Sequence, residues 1–578
     1  LRGGIDIEKV YLKNCVANIY KKPNDSFFNY QFIVDAFSGK KKSGAPVDTT
    51  ALDISLKKLI LSQVGVKFND EAGGSYFSAW IDSVDIVNKT FQPDRTFFEV
   101  DRFFSTGINF TMRNWKTPHP DSMPPAAENA SSAYSFFISS HWLQAKNLHV
   151  LIDNQVSGLY YKNEVSSLYL SNGLYSLAQN RISADSMILA QSQIQFTSPK
   201  DNPNSYTVPD TTMNSSPWNI TAKLLQVNNT KLSYNDVNKA QQTGLDPSHL
   251  ELESLSAQIH NFKLFGTQTF AEIKDLKFKD KSGFQLDSLH INLQFTDTVL
   301  SARALYVKTP GSLLQNSFRL AYDSIAGISK YPQQSLVAAN LVQSTLSFND
   351  LYLLLPELKK QFPPEDFKNL AVSFNTSVRG NLKRLYLPIL QLKGLSGSSI
   401  RASGTLYNLT NTALFAYDLT IFNSLLLKKD LLRFVPADNK AALENLPDLI
   451  QFSGQLKGDK NNVHGNIAVT GKEFQYLGNI TLNNISNPDK LSFNTDFKSL
   501  TLNKKFIEGY LPPGINQQIN LPPAISASGK FKADKNNFDA HLQVKSNYGP
   551  LTVVGFMKNI QTPQNAVYDL TLNTPGFN

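Results

Sequence analysis

Between Leu341 and Asn578 the sequence returns on itself with a period of roughly 75 residues, and that period constrains what the chain can fold into. Gly380-Asn381-Leu382, Gly454-Gln455-Leu456 and Gly529-Lys530-Phe531 open equivalent segments, and Gly404, Gly478 and Gly555 form a second series. Asn408-Leu409, Asn484-Ile485 and Asn559-Ile560 follow as a third marker. Each unit closes on an alternating run: Tyr417-Asp418-Leu419, Leu491-Ser492-Phe493 or Tyr568-Asp569-Leu570. A fixed period means one supersecondary unit that buries its apolar face by stacking on its neighbours. The expected molecule is therefore all-β, elongated and repeat-built, with short helices only.

Inside the units the local signal is period two, which sends successive side chains to opposite faces of a strand. Ala540, Leu542 and Val544 alternate with His541 and Gln543, and Leu570 and Leu572 flank Thr571. Leu419 and Ile421 flank Thr420, while Ile467 and Val469 flank Ala468. In the first half Leu289, Ile291, Leu293 and Phe295 alternate with His290, Asn292 and Gln294, and Leu52, Ile54 and Leu56 with Asp53 and Ser55. Each such strand has one apolar and one wet face, the mark of antiparallel meanders.

Turn chemistry agrees with the period. Asp459-Lys460-Asn461-Asn462 and Asp534-Lys535-Asn536-Asn537 occupy equivalent places as tight hairpins. Short helical turns are expected at 350–361, 429–434 and 504–510, ended at or near Pro356, Pro436 and Pro512. The recurring glycines read as bends or bulges that let a sheet curl. Five strands per unit at roughly 4.8 Å spacing would add about 24 Å of sheet.

The first half is less regular, yet Val66-Lys67-Phe68-Asn69-Asp70 returns as Leu232-Ser233-Tyr234-Asn235-Asp236. Met112 to Ala130 and Ser198 to Trp218 break the pattern and read as long loops. These breaks divide the chain into expected segments 1–111, 132–330 with a loop near 198–218, and 341–578.

Composition excludes several classes. Hydrophobic residues make up 41% and charged residues 18%, so the chain is neither disordered nor charge-dominated. The net charge of +9 is scattered, without the basic helix or aromatic motif of a nucleic-acid binder. It reads as a basic solvated face, with weak attraction to anionic lipid headgroups as the alternative. Cys15 is the single cysteine and has no internal disulfide partner. No apolar run reaches the 18 residues of a spanning helix. The opening Leu1-Arg2-Gly3-Gly4 and the closing Pro575-Gly576-Phe577-Asn578 look like cuts in a longer polypeptide. The eight histidines lack metal spacing, and neither a nucleophile elbow nor a phosphate or dinucleotide loop occurs. No enzyme, metal or cofactor is expected.

A long sheet with one apolar face must cover it with helices, a second sheet, itself, or a ligand. Helices are too few here, and a period without linkers favours curling into a trough with an apolar floor. Pulling a sixteen-carbon acyl chain into water costs on the order of 12 kcal/mol, at about 0.8 kcal/mol per methylene. A continuous apolar groove removes most of that barrier while headgroups stay wet at the rim. The alternating apolar residues named above are the candidate lining.

Ile273 to Leu276, Lys281-Ser282-Gly283-Phe284-Gln285-Leu286 before Leu289, and Thr309-Pro310-Gly311-Ser312 before Leu320-Ala321-Tyr322 carry a family likeness. So do the units around Gly380 and Gly404, and the opening Ile5, Ile7, Val10 and Leu12 followed by Phe27-Phe28-Asn29-Tyr30. In their order they resemble the TamB branch of the AsmA-like family in its Bacteroidota form, over nearly all of the chain. The resemblance implies a β-taco with a hydrophobic groove, in the periplasm and anchored in the inner membrane. It further implies phospholipid as transported ligand between the two membranes of a Gram-negative envelope. An Omp85-type outer-membrane protein, TamA or its lipoprotein relative, is the implied partner through a region outside this chain. Scaffolding of outer-membrane protein assembly stays open as the alternative, with exposed sheet edges receiving unfolded strands. An adhesive glycan-binding solenoid would need outer aromatic and carboxylate clusters, and a membrane barrel would need regular strands and aromatic girdles. Neither pattern is seen in the sequence.

Overall fold

A computed structural model describes residues 5–33, 54–115, 136–201, 217–435, 440, 445–487, 489–511 and 520–576. Leu52, Pro436, Pro512 and most of the long breaks after 115 and 201 lie outside the described residues. The fold is all-β, with twenty-seven strands and a few short helices among the described residues. It divides into two compact units: Leu1–Thr296, Ala304–Pro310 and Tyr352–Pro356, and Asp297–Arg303, Gly311–Leu351 and Glu357–Asn578.

The first unit contains β1 (Ile5–Lys21), β2 (Ile54–Asp70), β3 (Ser75–Gln92), β4 (Phe97–Asn114), β5 (Phe137–Asn154) and β6 (Leu159–Ser176). It continues with β7 (Arg181–Thr197), β8 (Asn219–Asn235), β9 (His249–Phe265), β10 (Gln268–Asp280), β11 (Gln285–Leu286) and β12 (Ser288–Phe295). Strand β13 (Val299–Lys308) falls at the division between the units. The ladder runs in chain order from β1 to β10, and β12 continues it on β10.

The expected purely antiparallel meander is corrected here. Strands β1 and β2, β4 and β5, and β7 and β8 pair in parallel, so the sheet is mixed. A parallel neighbour requires the chain to travel back the length of a strand. The long breaks at 22–53, 115–136 and 198–218 span those three steps. Three strands up, down and up, then a return, form the repeat of this unit. The echo noticed at 66–70 and 232–236 marks the ends of β2 and β8 in that repeat.

The second unit contains β14 (Leu313–Ala321), α1 (Ile325–Lys330), β15 (Leu336–Ser347), α2 (Phe348–Leu354), α3 (Pro364–Phe367), β16 (Ala371–Asn381), β17 (Arg384–Gly394) and β18 (Ser398–Tyr407). Then follow β19 (Ala416–Leu427), α4 (Lys428–Leu431), β20 (Leu449–Asp459), β21 (Val463–Thr470) and β22 (Phe474–Asn483). The last are β23 (Ser492–Asn503), α5 (Lys504–Tyr510), β24 (Ala524–Asp534), β25 (Phe538–Ser546), β26 (Gly549–Lys558) and β27 (Val567–Asn573). All thirteen successive pairings from β14 to β27 are antiparallel. Repeats begin at β15, β19 and β23, each a strand, a helical turn and three more strands. That is four strands, not the expected five, and roughly 19 Å of sheet per repeat.

The sequence markers have physical roles. Asp459 Oδ1 accepts from the backbone N–H of Asn461 and Asn462 at 2.6 and 2.9 Å, and Asp534 Oδ1 from Asn536 and Asn537 at 2.8 and 2.9 Å. Those bonds close the two hairpins and hold both carboxyls below their ordinary pKa, the Asn462 and Asn537 side-chain amides contributing most. Asn408, Asn484 and Asn559 adopt left-handed φ of 53°, 58° and 59°. Each then donates its side-chain amide to a carbonyl six residues on, at 3.0 Å.

The helices sit at strand ends. Asp430 of α4 is fully buried and accepts from Ser396 N–H at 3.0 Å, Ser398 N–H at 3.2 Å and the Ser398 hydroxyl at 2.7 Å. Burial alone would raise its pKa, but these bonds outweigh it and hold the carboxyl below the usual range. Phe367, 1% exposed, packs against Phe348, Phe362 and Phe434 beside these turns.

Candidate functional site

The strands of the first unit run 13–18 residues from β1 to β10, long enough that strict alternation would twist their apolar face away from its neighbours. The sequence prevents this by slipping twice per strand. In β1 the inward apolar positions are Ile5, Ile7, Val10, Leu12, Cys15, Ala17 and Ile19, with steps of three residues after Ile7 and Leu12. Strand β2 repeats that spacing as Ile54, Leu56, Leu59, Leu61, Val64, Val66 and Phe68, and β8 as Ile220, Ala222, Leu225, Val227, Thr230, Leu232 and Tyr234. Each slip is shared by neighbouring strands: between β1 and β2 the pairing lapses at 8/57 and 14/63 and resumes in unchanged register, so both strands change phase together.

At the second slip the residue is left-handed in both partners of each parallel step, Asn14 and Gln63, Gly107 and Asn147, and Gln191 and Asn229, with φ between 46° and 65°. These positions lie opposite one another across the ladder and form a crease. Asn and Gly tolerate that conformation best, which explains their prevalence on this line. Inward residues flanking it are buried: Val64, Val84, Ala145, Val165 and Leu189 are at most 9% exposed.

At the first slip the outward residues form a polar line instead. His141 bonds Asn172 at 2.7 Å, Asn172 donates to Asp185 at 2.8 Å, and Lys223 pairs with Asp185 at 2.7 Å. Hydrogen bonds from Lys223 and Asn172 hold the Asp185 carboxyl below its ordinary pKa.

The result is an apolar strip running across the strands. Val10, Leu59, Ile86, Phe103, Leu143, Leu170, Met187, Leu225, Ile259, Ile273 and Ile291 are successive lateral partners on eleven strands, without one polar residue. Leu143, Leu170, Met187 and Leu225 of this row line an open apolar hollow of about 380 Å³. On the reverse face Lys13, Ser62, Ser83, Thr106, Lys146 and Ser167 form a shorter polar row over six strands, which ends where Ser167 meets Ala190 of β7.

The second unit has the same two-faced character. Ala402, Ile421, Gly454, Ile467, Gly478, Phe497, Gly529, Leu542, Val553 and Leu572 follow one another across ten strands. One residue away, Ser403, Thr420, Gln455, Asn466, Asn479, Asp496, Lys530 and His541 make a polar row on the other face. The repeating glycines thus lie inside the apolar rows. Gly404, at φ 150°, faces the neighbouring strand so closely that a Cβ would run into the Asp418 carbonyl oxygen. Gly454 stays in unbroken register with Ile467 on one side and adjoins a register shift on the other, where Ile421 pairs with Gly454 but Ser424 with Phe452.

The candidate lining residues fall as follows. Ile54 and Leu56 lie at one end of the inward pattern of β2, and Leu52 is outside the described residues. Leu289, Ile291, Leu293 and Phe295 share the face of β12 that continues the eleven-strand row. Leu419, Ala540 and Leu570 occupy one lateral row of the second unit; Ile421, Ile467, Leu542 and Leu572 occupy the next; Val469 and Val544 a third. Sequence reasoning missed the middle of the first unit, from Leu143 to Leu225. The signal was there as the doubled three-residue step.

Among the described residues no group of three or more His, Cys, Asp or Glu could hold a metal ion, and no helix is long and apolar enough to cross a membrane. No protein-family model matches the chain, and no curated protein or solved structure matches it.

Proposed function

We propose that the apolar face of each unit holds lipid acyl chains, and that the chain is part of a periplasmic bridge that carries phospholipid between inner and outer membranes. The observation that carries this reading is the row from Val10 to Ile291, apolar on every strand it crosses. An acyl chain lying along such a row leaves no step at which its methylenes must enter water. At about 0.8 kcal/mol per methylene, even a four-carbon polar gap would cost about 3 kcal/mol and slow sliding about 150-fold. Headgroups would ride at the rim, where strand ends carry Lys, Asp and Asn. No nucleotide, metal or covalent step is needed, so the reading is a carrier and not an enzyme. An inner-membrane anchor and an Omp85-type partner belong to the same proposal.

Photocrosslinking residues placed at Leu293 and Leu570 test it in cells. Phospholipid adducts at both positions support carriage. Adducts to unfolded outer-membrane polypeptides, without lipid, would replace it by a scaffold for protein assembly.

A further inference from the structure

Strand β1 pairs with β2 in parallel, and among the described residues its other edge has no strand beside it. In the three-strand repeat β1 is equivalent to β4 and β7, which likewise precede a parallel step. The far edges of β4 and β7 are occupied by antiparallel strands, β3 and β6. One end of the β1 edge is already closed by a surrogate. Asn29 accepts from Tyr20 N–H at 2.9 Å through its side-chain oxygen, donates its side-chain amide to Asn18 O at 2.9 Å, and donates its backbone N–H to Tyr20 O at 3.0 Å. Those are the bonds a neighbouring peptide group would make. They show which side of β1 is unpaired and where an incoming strand must stop.

We propose that Ile5–Ala17 accepts an extended peptide segment running antiparallel to β1, with apolar residues at the mirror of its spacing. Main-chain bonds would supply affinity, and the two three-residue slips would fix the register, since a one-residue shift sends every side chain to the wrong face. Strand β6 supplies the template. It faces β7 with Tyr175 opposite Ile182, Val165 opposite Ser192 and Asn163 opposite Ile194. By the repeat, those residues of β7 correspond to Ile5, Cys15 and Ala17 of β1. A peptide copying Asn163–Tyr175 therefore fits the open stretch and ends short of Asn18. This proposal is independent of what the apolar face carries.

Cys15, the single cysteine, reports the register. The probes are that peptide with Val165→Cys, which puts a thiol opposite Cys15, and the same peptide with Glu164→Cys, which puts it on the other face. With oxidised glutathione as the two-electron oxidant, reduced to two glutathione thiols for each disulfide formed, the first is expected to form a mixed disulfide with Cys15 of the 578-residue chain at least tenfold faster. By alternation from Asn18 and Tyr20, the Val16 N–H faces the open edge, and Val16 is exposed. Val16→Pro removes that donor and should slow the first peptide to the rate of the second. Equal rates for the two peptides would overturn the proposal. So would Cys15–Cys15 dimers that the peptide fails to suppress, which would make a second copy of the chain the occupant.

Discussion

Leu542→Lys places a charge in the middle of an apolar row, between Gly529 and Val553 on the flanking strands. Glycine at one neighbour leaves space beside the new side chain, so the substitution acts on whatever lies over the row more than on the packing of the sheet. A fully extended sixteen-carbon chain reaches roughly 20 Å, about four strand spacings. Each strand thus contacts about four methylenes, worth about 3 kcal/mol when kept from water. Losing one strand's contact would weaken retention about 150-fold. The lysine stem covers part of that surface and its ammonium snorkels toward the rim, so the expected loss is about tenfold to hundredfold. Gln543→Lys is the matched control, one residue away on the reverse face. The assay is retention of a fluorescent fatty-acyl probe at equal thermal stability. Equal retention by the two variants, or a larger loss in Gln543→Lys, refutes the assignment of the face.

Three further substitutions test the framework. Asn229→Val puts a β-branched residue in the left-handed crease and should cost about 2 kcal/mol, while Asn229→Gly should be nearly neutral; urea unfolding measures both. Gly404→Ala combines strain at φ 150° with a collision at the Asp418 carbonyl and should cost about 1–3 kcal/mol in the same assay. Asp430→Asn leaves N–H groups at Ser396 and Ser398 short of an acceptor and should cost about 1–3 kcal/mol at pH 7. Because the folded Asp430 carboxyl titrates below its unfolded value of about 3.9, its stabilisation is complete above that pH. It is lost as pH falls through the folded value. The gap in stability between wild type and Asp430→Asn should therefore narrow steadily as pH falls below about 3.9, and parallel curves would contradict the role assigned to the carboxyl.

The second unit was largely legible because its markers are short-range chemistry. Asn408, Asn484 and Asn559 are left-handed turn residues with identical bonds six residues on, and Asp459 and Asp534 close hairpins by Asx geometry; both are visible as residue types at a fixed spacing. The helical turns fell at 348–354, 428–431 and 504–510, close to their expected places. Strand count per repeat was harder, since four longer strands and five shorter ones give similar alternation. In the first unit, two three-residue steps per strand break a strict period of two, so β2 and β8 read as irregular although they share one spacing. Parallel steps were invisible to alternation because each strand still has one wet face. Only the length of the intervening segments hinted that the chain returned before pairing again.

Native mass spectrometry of the 578-residue chain, released from cells in mild detergent, bears most directly on whether the apolar rows carry lipid. Phospholipid-sized adducts that persist through activation, and that diminish in Leu542→Lys but not in Gln543→Lys, are the expected result. A bare polypeptide mass for all three proteins would mean that the rows from Val10 to Ile291 and from Ala402 to Leu572 are satisfied by the protein alone.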